Sequence, residues 1–264
     1  MREIKVALVG TPNVGKSTIY NALTHNHEHT GNWSGKTVEV SKGECEYLDT
    51  LYHFYDLPGT YSLISKSREE VVATDFIVFA EFDVAVVVCD ATSLNKGIGL
   101  VLQTKEICKN VVVCINLIDE AEKKGIHINY SLLEERLGCK VALVSAKNKK
   151  GLDELLMAIK TSKEQAYLDV DYGVLNETIR DITKTIQTSK YNPKWIALKI
   201  LENNAYYIQQ FKELGIIQKE YEVSLDYDVH LEVVLHMSKR VKDILKDVVT
   251  YDNVHYNDKM RKID

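Results

Sequence analysis

Residues 4–17 read IKVALVGTPNVGKS. The apolar run at residues 4–9 predicts a buried strand, and it leads into a loop with the spacing Gly-x-x-x-x-Gly-Lys-Ser. The two glycines allow a tight turn in which backbone N–H groups point at phosphate oxygens, Lys16 adds a positive charge, and Ser17 offers a hydroxyl to Mg²⁺. The alternative, a glycine turn that merely precedes a lysine, does not account for the strand and the helix around the loop. The predicted phosphate-binding residues are Gly10, Thr11, Pro12, Asn13, Val14, Gly15, Lys16, Ser17 and Thr18.

Composition and charge limit the classes of function. The chain has 264 residues, enough for one large or two small domains, and its 45% hydrophobic and 27% charged residues are ordinary for a globular protein. A net charge of −5 argues against a nucleic-acid partner held by bulk electrostatics. No apolar run approaches the roughly 18–20 residues that span a bilayer, and the N-terminus lacks a signal-peptide pattern. We therefore expect a soluble, cytoplasmic fragment.

Up to about residue 162, strand and helix patterns alternate. Continuously apolar runs such as residues 84–88 are typical of strands buried on both faces of a parallel sheet, whereas residues 37–47 alternate and suit an antiparallel edge hairpin. We predict an α/β domain over residues 1–162, a mostly parallel six-stranded sheet with helices on both faces. The predicted strands are Glu3–Val9, Thr37–Tyr47, Leu51–Tyr55, Asp83–Cys89, Asn110–Ile115 and Lys140–Val144, and the predicted helices include Leu94–Lys109 and Leu152–Lys160.

The remainder of the chain, residues 163–264, has no strand pattern. Apolar residues recur there at helical spacing, and Pro193 stands where a helix can begin. We predict a small all-helical domain with helices at Val174–Ile186, Lys194–Phe211 and Asp228–Val249.

The motif Asp56-Leu57-Pro58-Gly59 follows the predicted strand that ends at Tyr55. By itself, Asp-x-Pro-Gly is a common turn sequence. About forty residues after a phosphate loop, however, Asp56 can hold a Mg²⁺-bound water and Gly59 can present a backbone N–H to a γ-phosphate. The predicted role is a loop that senses whether that phosphate is present.

Residues 30–37, TGNWSGKT, lie between these two motifs and are polar and rich in glycine. We expect an irregular loop in which Thr37 adds a second hydroxyl to Mg²⁺ when the γ-phosphate is bound, with Gly35 and Lys36 beside the nucleotide. An ordinary surface loop is the alternative.

Two further motifs predict a guanine site. Asn116-Leu117-Ile118-Asp119 follows a predicted buried strand, and the Asp119 carboxylate can accept from guanine N1–H and from the exocyclic amine, a donor pair that adenine lacks. Ser145-Ala146-Lys147 follows the last predicted strand, where a backbone N–H can meet guanine O6. Neither motif is decisive alone, but together they stand in the order that a guanine-nucleotide site requires.

Cysteines and histidines do not point to a metal site. No two of the cysteines form a Cys-x-x-Cys pair, which favours buried reduced thiols over metal ligands or disulfides. The alternating histidines at positions 25, 27 and 29 have no cysteine or carboxylate cluster nearby, which favours a solvated loop over a metal site. The cysteines are Cys45, Cys89, Cys108, Cys114 and Cys139.

The motifs, in this order and spacing, resemble those of Ras-like GTPases and, more narrowly, those of the ferrous iron transport protein B (FeoB) family. Residues 10–18, 30–39 and 56–63 resemble the G domain of this family, and 30–39 is the most specific segment. Residues 193–202 resemble its helical domain, and 257–264 resemble the stretch before its membrane part. The resemblance implies a Ras-like P-loop GTPase domain followed by a small all-helical domain that slows GDP release.

The resemblance also implies hydrolysis of GTP to GDP and phosphate, with Mg²⁺ and K⁺ as cofactors. Asn13 and the backbone carbonyls of Gly31 and Trp33 would ligate K⁺, whose charge stands where other GTPases use an arginine finger. The expected Mg²⁺ ligands are Ser17, Thr37 and Asp56. The residues expected to act in catalysis are Asn13, Lys16, Thr37 and Gly59.

Two positions depart from related GTPases. Thr60 stands where Ras-type proteins carry a water-orienting glutamine, and threonine is too short for that role, so we expect slow intrinsic turnover. Leu117 replaces a lysine that often packs over the base, so we expect modest nucleotide affinity, with Asp119 retaining the selectivity for guanine.

The resemblance implies that the chain is part of a longer protein. Its partners would be guanine nucleotide, the Fe²⁺-transporting membrane domain of the same polypeptide, and small cytosolic proteins of the transport system. The fragment would lie at the cytoplasmic face of the plasma membrane and could self-associate.

Two other functions fit part of the sequence. Ribosome- or tRNA-associated GTPases share the Pro-Asn-Val-Gly-Lys loop, but they usually add a basic RNA-binding domain, whereas this chain is net acidic. A nucleotide-dependent binding module, in which turnover is incidental, is the third reading.

Overall fold

The computed structural model describes residues 1–24, 29–32, 39–63, 68–221 and 228–252. The chain divides into two compact units. The first contains residues 1–165 together with the described residues from Val241 onward, and the second contains residues 166–240. The boundary between residues 165 and 166 lies close to the predicted boundary at residue 162. The described residues from Val241 onward, which were predicted to belong to the second domain, group with the first unit instead.

A seven-stranded sheet forms the centre of the first unit. Its strands are ordered β2-β3-β4-β1-β5-β6-β8, and a separate two-stranded sheet pairs β7 with β9. Strands β4, β1, β5, β6 and β8 run parallel to their neighbours in that series, whereas β2, β3 and β4 are joined antiparallel. The strands are β1 Arg2–Gly10, β2 His29–Asn32, β3 Glu39–Tyr47, β4 Thr50–Asp56, β5 Val84–Asp90, β6 Val111–Asn116, β7 Ile126–Ile128, β8 Val141–Leu143 and β9 Val249–Tyr251.

The central strands of the sheet match the prediction, and one edge of the sheet has a strand that was not predicted. All six predicted strands are present, and residues 84–89 of β5 are buried throughout, as their unbroken apolar run indicated. The predicted count of six strands is corrected to seven, because β2 lies within residues expected to be irregular. It forms through antiparallel pairing with β3, in which Gly31 lies opposite Val40. The sequence of β2 is polar, contains glycine and has no alternation of apolar and polar residues. Its extended conformation therefore depends on pairing with β3.

Helices pack on both faces of this sheet. The helices that the sequence predicted, α3 and α6, are present, and α3 ends two residues earlier than expected. A buried core joins residues of β1, β4, β5 and β6 to the inner faces of α1 and α6. The helices of the first unit are α1 Lys16–Thr24, α2 Arg68–Phe79, α3 Leu94–Ile107, α4 Ile118–Lys123, α5 Tyr130–Leu137 and α6 Leu152–Thr161.

The second unit is helical, as predicted, but one predicted helix is broken. The stretch Lys194–Phe211 forms two helices, because Asn203 adopts a left-handed conformation with φ 50° and Asn204 begins the next helix by accepting a hydrogen bond from the N–H of Tyr207 at 3.2 Å. Pro193 occupies the first turn of its helix, as predicted. The helices are α7 Asn176–Thr183, α8 Pro193–Leu201, α9 Ala205–Glu213 and α10 Val229–Leu245, and the last turn of α10 groups with the first unit.

The chain end of the described region is a strand, whereas the sequence predicted a helix up to Val249. Helix α10 ends at Leu245, and β9 then pairs antiparallel with β7. The Arg136 guanidinium caps the helix end by donating to the carbonyl of Ile244 at 2.9 Å. The sequence does not predict this short strand, because its pairing partner lies far away in the chain. Within the described ranges, every helix is too short or too polar to cross a membrane.

Candidate functional site

Four motifs predicted from the sequence lie at one edge of the sheet. Gly10 ends β1, Asp56 ends β4, Asn116 ends β6, and Ser145 follows β8 shortly after its last residue. These strands are parallel to one another through their neighbours, so their carboxyl ends meet on the same side. Ligands of open α/β sheets bind in the crevice outside that edge.

The phosphate loop connects β1 to α1. Asn13 and Gly15 have φ values of 66° and 80°, in the left-handed region that asparagine and glycine tolerate best. A Cβ atom added to Gly15 would lie 2.4 Å from Nδ2 of Asn116, so any side chain there would collide. Val14 is buried under the loop, whereas Asn13, Ser17 and Thr18 are exposed. The loop therefore presents its polar residues and the N-terminus of α1 outward, as an anion site requires.

Lys16, Ser17 and Asp56 form one hydrogen-bonded group. The Lys16 ammonium forms a salt bridge with Oδ1 of Asp56, and both side chains are mostly buried. The hydroxyl of Ser17 donates to Oδ2 of the same carboxylate at 3.2 Å. A carboxylate and a hydroxyl that converge in this way are the oxygen donors that Mg²⁺ prefers, so the residues fit this ion.

The loop after Asp56 lies against the phosphate loop. The N–H of Thr60 donates to the carbonyl of Gly10 at 3.0 Å, and that of Leu57 donates to the carbonyl of Leu8 at 3.2 Å. A Cβ added to Gly59 would lie 3.3 Å from Cα of Pro12, so glycine permits this close approach. Backbone hydrogen bonds thus join this loop to β1 and to the first residue of the phosphate loop.

The hydroxyl of Thr60 is already engaged. Thr60 is buried, and its Oγ1 donates to the carbonyl of Ser62 at 2.6 Å and accepts from the N–H of Ser62 at 3.3 Å. This local turn supports the expectation that Thr60 does not orient an attacking water.

Asn116 connects the phosphate loop to the last motif. Its Nδ2 donates to the carbonyl of Val14 at 2.9 Å, and its Oδ1 accepts from the N–H of Ala146 at 3.1 Å. The side chain is only 1% exposed. The sequence predicts Asn116 near the nucleotide but does not reveal this bridging role, because nothing in a single sequence signals a contact between residues 102 positions apart.

The Asp119 carboxylate lies in the first turn of α4 and is held by the Ser145 loop. The hydroxyl of Ser145 donates to Oδ1 of Asp119 at 2.7 Å, and Nδ2 of Asn148 donates to the Ser145 oxygen at 2.9 Å. The hydrogen bond from Ser145 holds the pKa of Asp119 below its ordinary value, and Lys123 at 3.7 Å adds to the effect. Asp119 is therefore ionised at neutral pH and offers only acceptors.

Leu117 begins the turn that aims Asp119. It has a φ of 64°, a left-handed conformation that is costly for leucine, and its carbonyl accepts from the N–H of Ala121 at 3.1 Å as α4 begins. Backbone strain of this kind persists where the surrounding structure imposes it, and here it lies within the base motif.

Some predicted site residues lie outside the described residues: Trp33, Gly35, Lys36 and Thr37. Gly31 lies in β2, and of the three alternating histidines only His29 falls within a described element. All five cysteines are free thiols, and burial raises the pKa of Cys139 to about 11. A cavity of about 870 Å³, lined by residues such as Tyr130, Glu134 and Gln165, contains none of the motif residues.

Comparison with protein families settles what kind of chain carries this site. Residues 4–159 match the family model of ferrous iron transport protein B, and residues 172–250 match that of the FeoB cytosolic helical domain. The chain belongs to the FeoB family. The resemblance drawn from the motifs is thereby confirmed, and the two matched segments correspond to the G domain and the helical domain of FeoB.

Curated FeoB relatives are longer than this chain. An Fe(2+) transporter FeoB of Staphylococcus aureus is 32% identical over 272 residues, covering 97% of this chain but 41% of the relative. The FeoB of Methanocaldococcus jannaschii is 35% identical over 211 residues, covering 78% of this chain and 32% of the relative. The chain thus spans about two fifths, or less, of the length of these relatives.

Solved FeoB structures share the fold. The cytosolic domain of the T. maritima FeoB iron transporter in a GDP form has a TM-score of 0.84 and 30% identity, with 94% of this chain and 100% of that chain covered. Its GMPPNP form has a TM-score of 0.85, with 94% and 99% covered. The predicted fold class, a mostly parallel nucleotide-binding sheet followed by helices, is confirmed.

Proposed function

We propose that the chain binds GTP and GDP with Mg²⁺, hydrolyses GTP slowly with stimulation by K⁺, and couples its nucleotide state to Fe²⁺ transport by a longer protein. One observation carries this proposal. The buried Asn116 amide joins the phosphate loop at Val14 to the Ser145-Ala146 loop, which in turn holds Asp119. These contacts fix the distance between the phosphate motif and the base motif, as binding of a nucleoside polyphosphate requires.

At the phosphate end, residues 10–18 surround the anion and Lys16 neutralises it. With a nucleotide bound, the Lys16 ammonium would face phosphate oxygens in place of the Asp56 carboxylate, and Asp56 and Ser17 would hold Mg²⁺. The ion would supply positive charge that stabilises the charge on the phosphates. Thr37 would complete this set, and Gly59 would donate its N–H to the γ-phosphate.

At the base end, Asp119 selects guanine. Its ionised carboxylate accepts from N1–H and from the exocyclic amine, so adenine would leave it without donors. The N–H of Ala146 is engaged by Asn116 at 3.1 Å, so the N–H of Lys147 is the stronger candidate for guanine O6. Ser145 prepares the site by orienting Asp119 before the base arrives.

Asn13 is the proposed protein side chain for K⁺. It is exposed at the tip of the phosphate loop, where an amide oxygen can approach a cation beside the phosphates. Gly31 would add a backbone carbonyl from β2, and Trp33 another. Positive charge at that position stabilises the charge that develops on the transferred phosphoryl group.

The chain would act within a longer FeoB protein. The relatives named Fe(2+) transporter are more than twice as long as the aligned segment, which supports a further part that carries Fe²⁺ across a membrane. The helical domain would slow GDP release, and the chain would lie at the cytoplasmic face of the plasma membrane. Small cytosolic proteins and further copies of the chain are the proposed additional partners.

The proposal is tested by equilibrium binding of GDP, a non-hydrolysable GTP analogue and ADP in the presence of Mg²⁺. Guanine nucleotides should bind at least about 100-fold more tightly than ADP, because ADP leaves the Asp119 carboxylate unpaired. Equal affinity for ADP would contradict the assignment of Asp119. Iron uptake by the complete protein with Lys16→Ala tests the coupling, and unchanged uptake would contradict it.

A further inference from the structure

Gln103 reaches from α3 to the loop that follows Gly59. Its side-chain oxygen Oε1 accepts hydrogen bonds from the backbone N–H of Leu63 at 2.7 Å and from the hydroxyl of Ser62 at 3.1 Å. Because a backbone N–H can only donate, the atom that faces it must be the amide oxygen, which fixes the orientation of the Gln103 side chain. A single atom therefore holds two successive residues of this loop.

The loop at residues 57–63 is attached to the rest of the unit at both ends. The N–H groups of Leu57 and Thr60 bond to backbone carbonyls at the end of β1 and in the phosphate loop. These bonds join backbone atoms and are independent of side-chain identity. The attachment of Leu63 to Gln103 is different, because it depends on one side chain of α3.

Burial strengthens these attachments. Leu57, Thr60 and Leu63 are 1%, 1% and 2% exposed, so their side chains are fixed in the interior on either side of Gly59. A backbone N–H at such a position needs an acceptor, and Gln103 provides it. If that acceptor is lost, the far end of the loop loses its fixed position.

We propose that Gln103 is a positioning residue for the loop that senses the γ-phosphate, and that it thereby sets how strongly the chain prefers GTP to GDP; the inference rests on the proposed function. A loop that is already held in place loses less conformational freedom when the N–H of Gly59 binds a γ-phosphate. GDP has no γ-phosphate and makes no contact of this kind. The anchor should therefore affect GTP binding and leave GDP binding unchanged.

The test compares three variants of the full chain. Gln103→Leu removes the acceptor at similar size, Gln103→Glu keeps an acceptor oxygen, and Ser62→Ala removes one of the two donors. For each variant, binding of GDP and of a non-hydrolysable GTP analogue is measured with Mg²⁺, together with hydrogen exchange at the Leu63 amide. Thermal denaturation verifies that each variant is folded.

For Gln103→Leu we expect affinity for the GTP analogue to fall about tenfold while affinity for GDP stays within about twofold. The Leu63 amide should exchange faster, and Gln103→Glu should restore both properties. Ser62→Ala should lower the affinity for the GTP analogue by a smaller factor, and it decides the matter if Gln103→Leu does not fold.

Two outcomes overturn the inference. Gln103→Leu could leave the ratio of the two affinities unchanged, whether neither affinity falls or both fall equally, or it could tighten binding of the GTP analogue. If the wild-type chain binds neither nucleotide, the proposed function is wrong and this inference falls with it. If the wild-type chain binds both nucleotides and Gln103→Leu gives one of the outcomes above, only this inference is wrong.

Discussion

The Asn116 side chain donates from Nδ2 to the carbonyl of Val14 at 2.9 Å, so the strand that carries the base motif also holds the phosphate loop. Asn116→Asp keeps an acceptor for the N–H of Ala146, but it replaces the donor that faces the Val14 carbonyl with a carboxylate oxygen. Two acceptors then face each other without a hydrogen bond. We expect a loss of about 1–3 kcal/mol in stability and an affinity for both GDP and GTP lowered about tenfold or more. Chemical denaturation and nucleotide titration measure these effects.

The control for this variant is Asn95→Asp, which makes the same chemical change at an exposed position of α3. It should leave both properties within about 0.5 kcal/mol of the wild type. An Asn116→Asp chain that binds GDP as tightly as the wild type would contradict the bridging role.

Asn13 can be tested without disturbing the backbone, because its φ of 66° suits glycine. Asn13→Gly removes the amide without strain, whereas Asn13→Ala adds about 1–2 kcal/mol of strain in the left-handed region. We expect the ratio of GTP turnover in KCl to that in NaCl to fall to about one in both variants, with lowered thermal stability in the alanine variant alone. Retention of the KCl stimulation in Asn13→Gly would rule out Asn13 as a K⁺ ligand.

The pH dependence of guanine binding should follow Asp119. Its folded-state pKa is lowered, so the stabilisation that it brings is present above the ordinary aspartate value of about 3.9 and is lost as the pH falls through the folded value. GDP binding limited by this group should therefore persist below pH 5. Ser145→Ala removes the main cause of the shift, and we expect the acid midpoint of binding to move upward.

Ser131→Ala, at an exposed position of α5, is the matched control for that measurement. It should leave the acid midpoint of GDP binding unchanged. A midpoint in Ser145→Ala equal to that of the wild type would show that the Ser145 hydroxyl does not govern Asp119.

Gly15→Ala should damage the phosphate loop for two reasons. The residue has a φ of 80°, and the new Cβ would lie 2.4 Å from Nδ2 of Asn116. We expect a loss of about 2 kcal/mol or more in stability and a large loss of nucleotide affinity. Gly99→Ala is a suitable control, because the nearest atom to its Cβ is 4.0 Å away and alanine favours the helix. Equal unfolding midpoints for the two variants would contradict this argument.

Local sequence was sufficient to predict the motifs and the edge of the sheet where they meet. The buried strands around Val86 and Val113 have continuous apolar runs, and the loops after β1, β4, β6 and β8 carry the polar residues that the chemistry needs. Because parallel strands expose their carboxyl ends on one side, the order of the motifs was enough to place them together.

Long-range pairing could not be predicted in the same way. The predicted helix Asp228–Val249 runs into the first residue of β9, because Val249 fits a helical spacing and only its pairing with Ile128 makes it part of a strand. The break between α8 and α9 depends on two asparagines whose capping role appears only in three dimensions. Gln103 and Asn116 likewise act through partners that a single sequence does not reveal.

The pairing of β7 with β9 has a consequence for the synthesis of the protein. The second unit is inserted in the chain between residues that belong to the first, so Ile128 leaves the ribosome long before its partner Val249. The first unit can form its large sheet during translation, but its small sheet must wait until the whole helical unit has been made. Until then β7 keeps an unpaired edge, which is the kind of surface that nascent chains must protect from wrong partners.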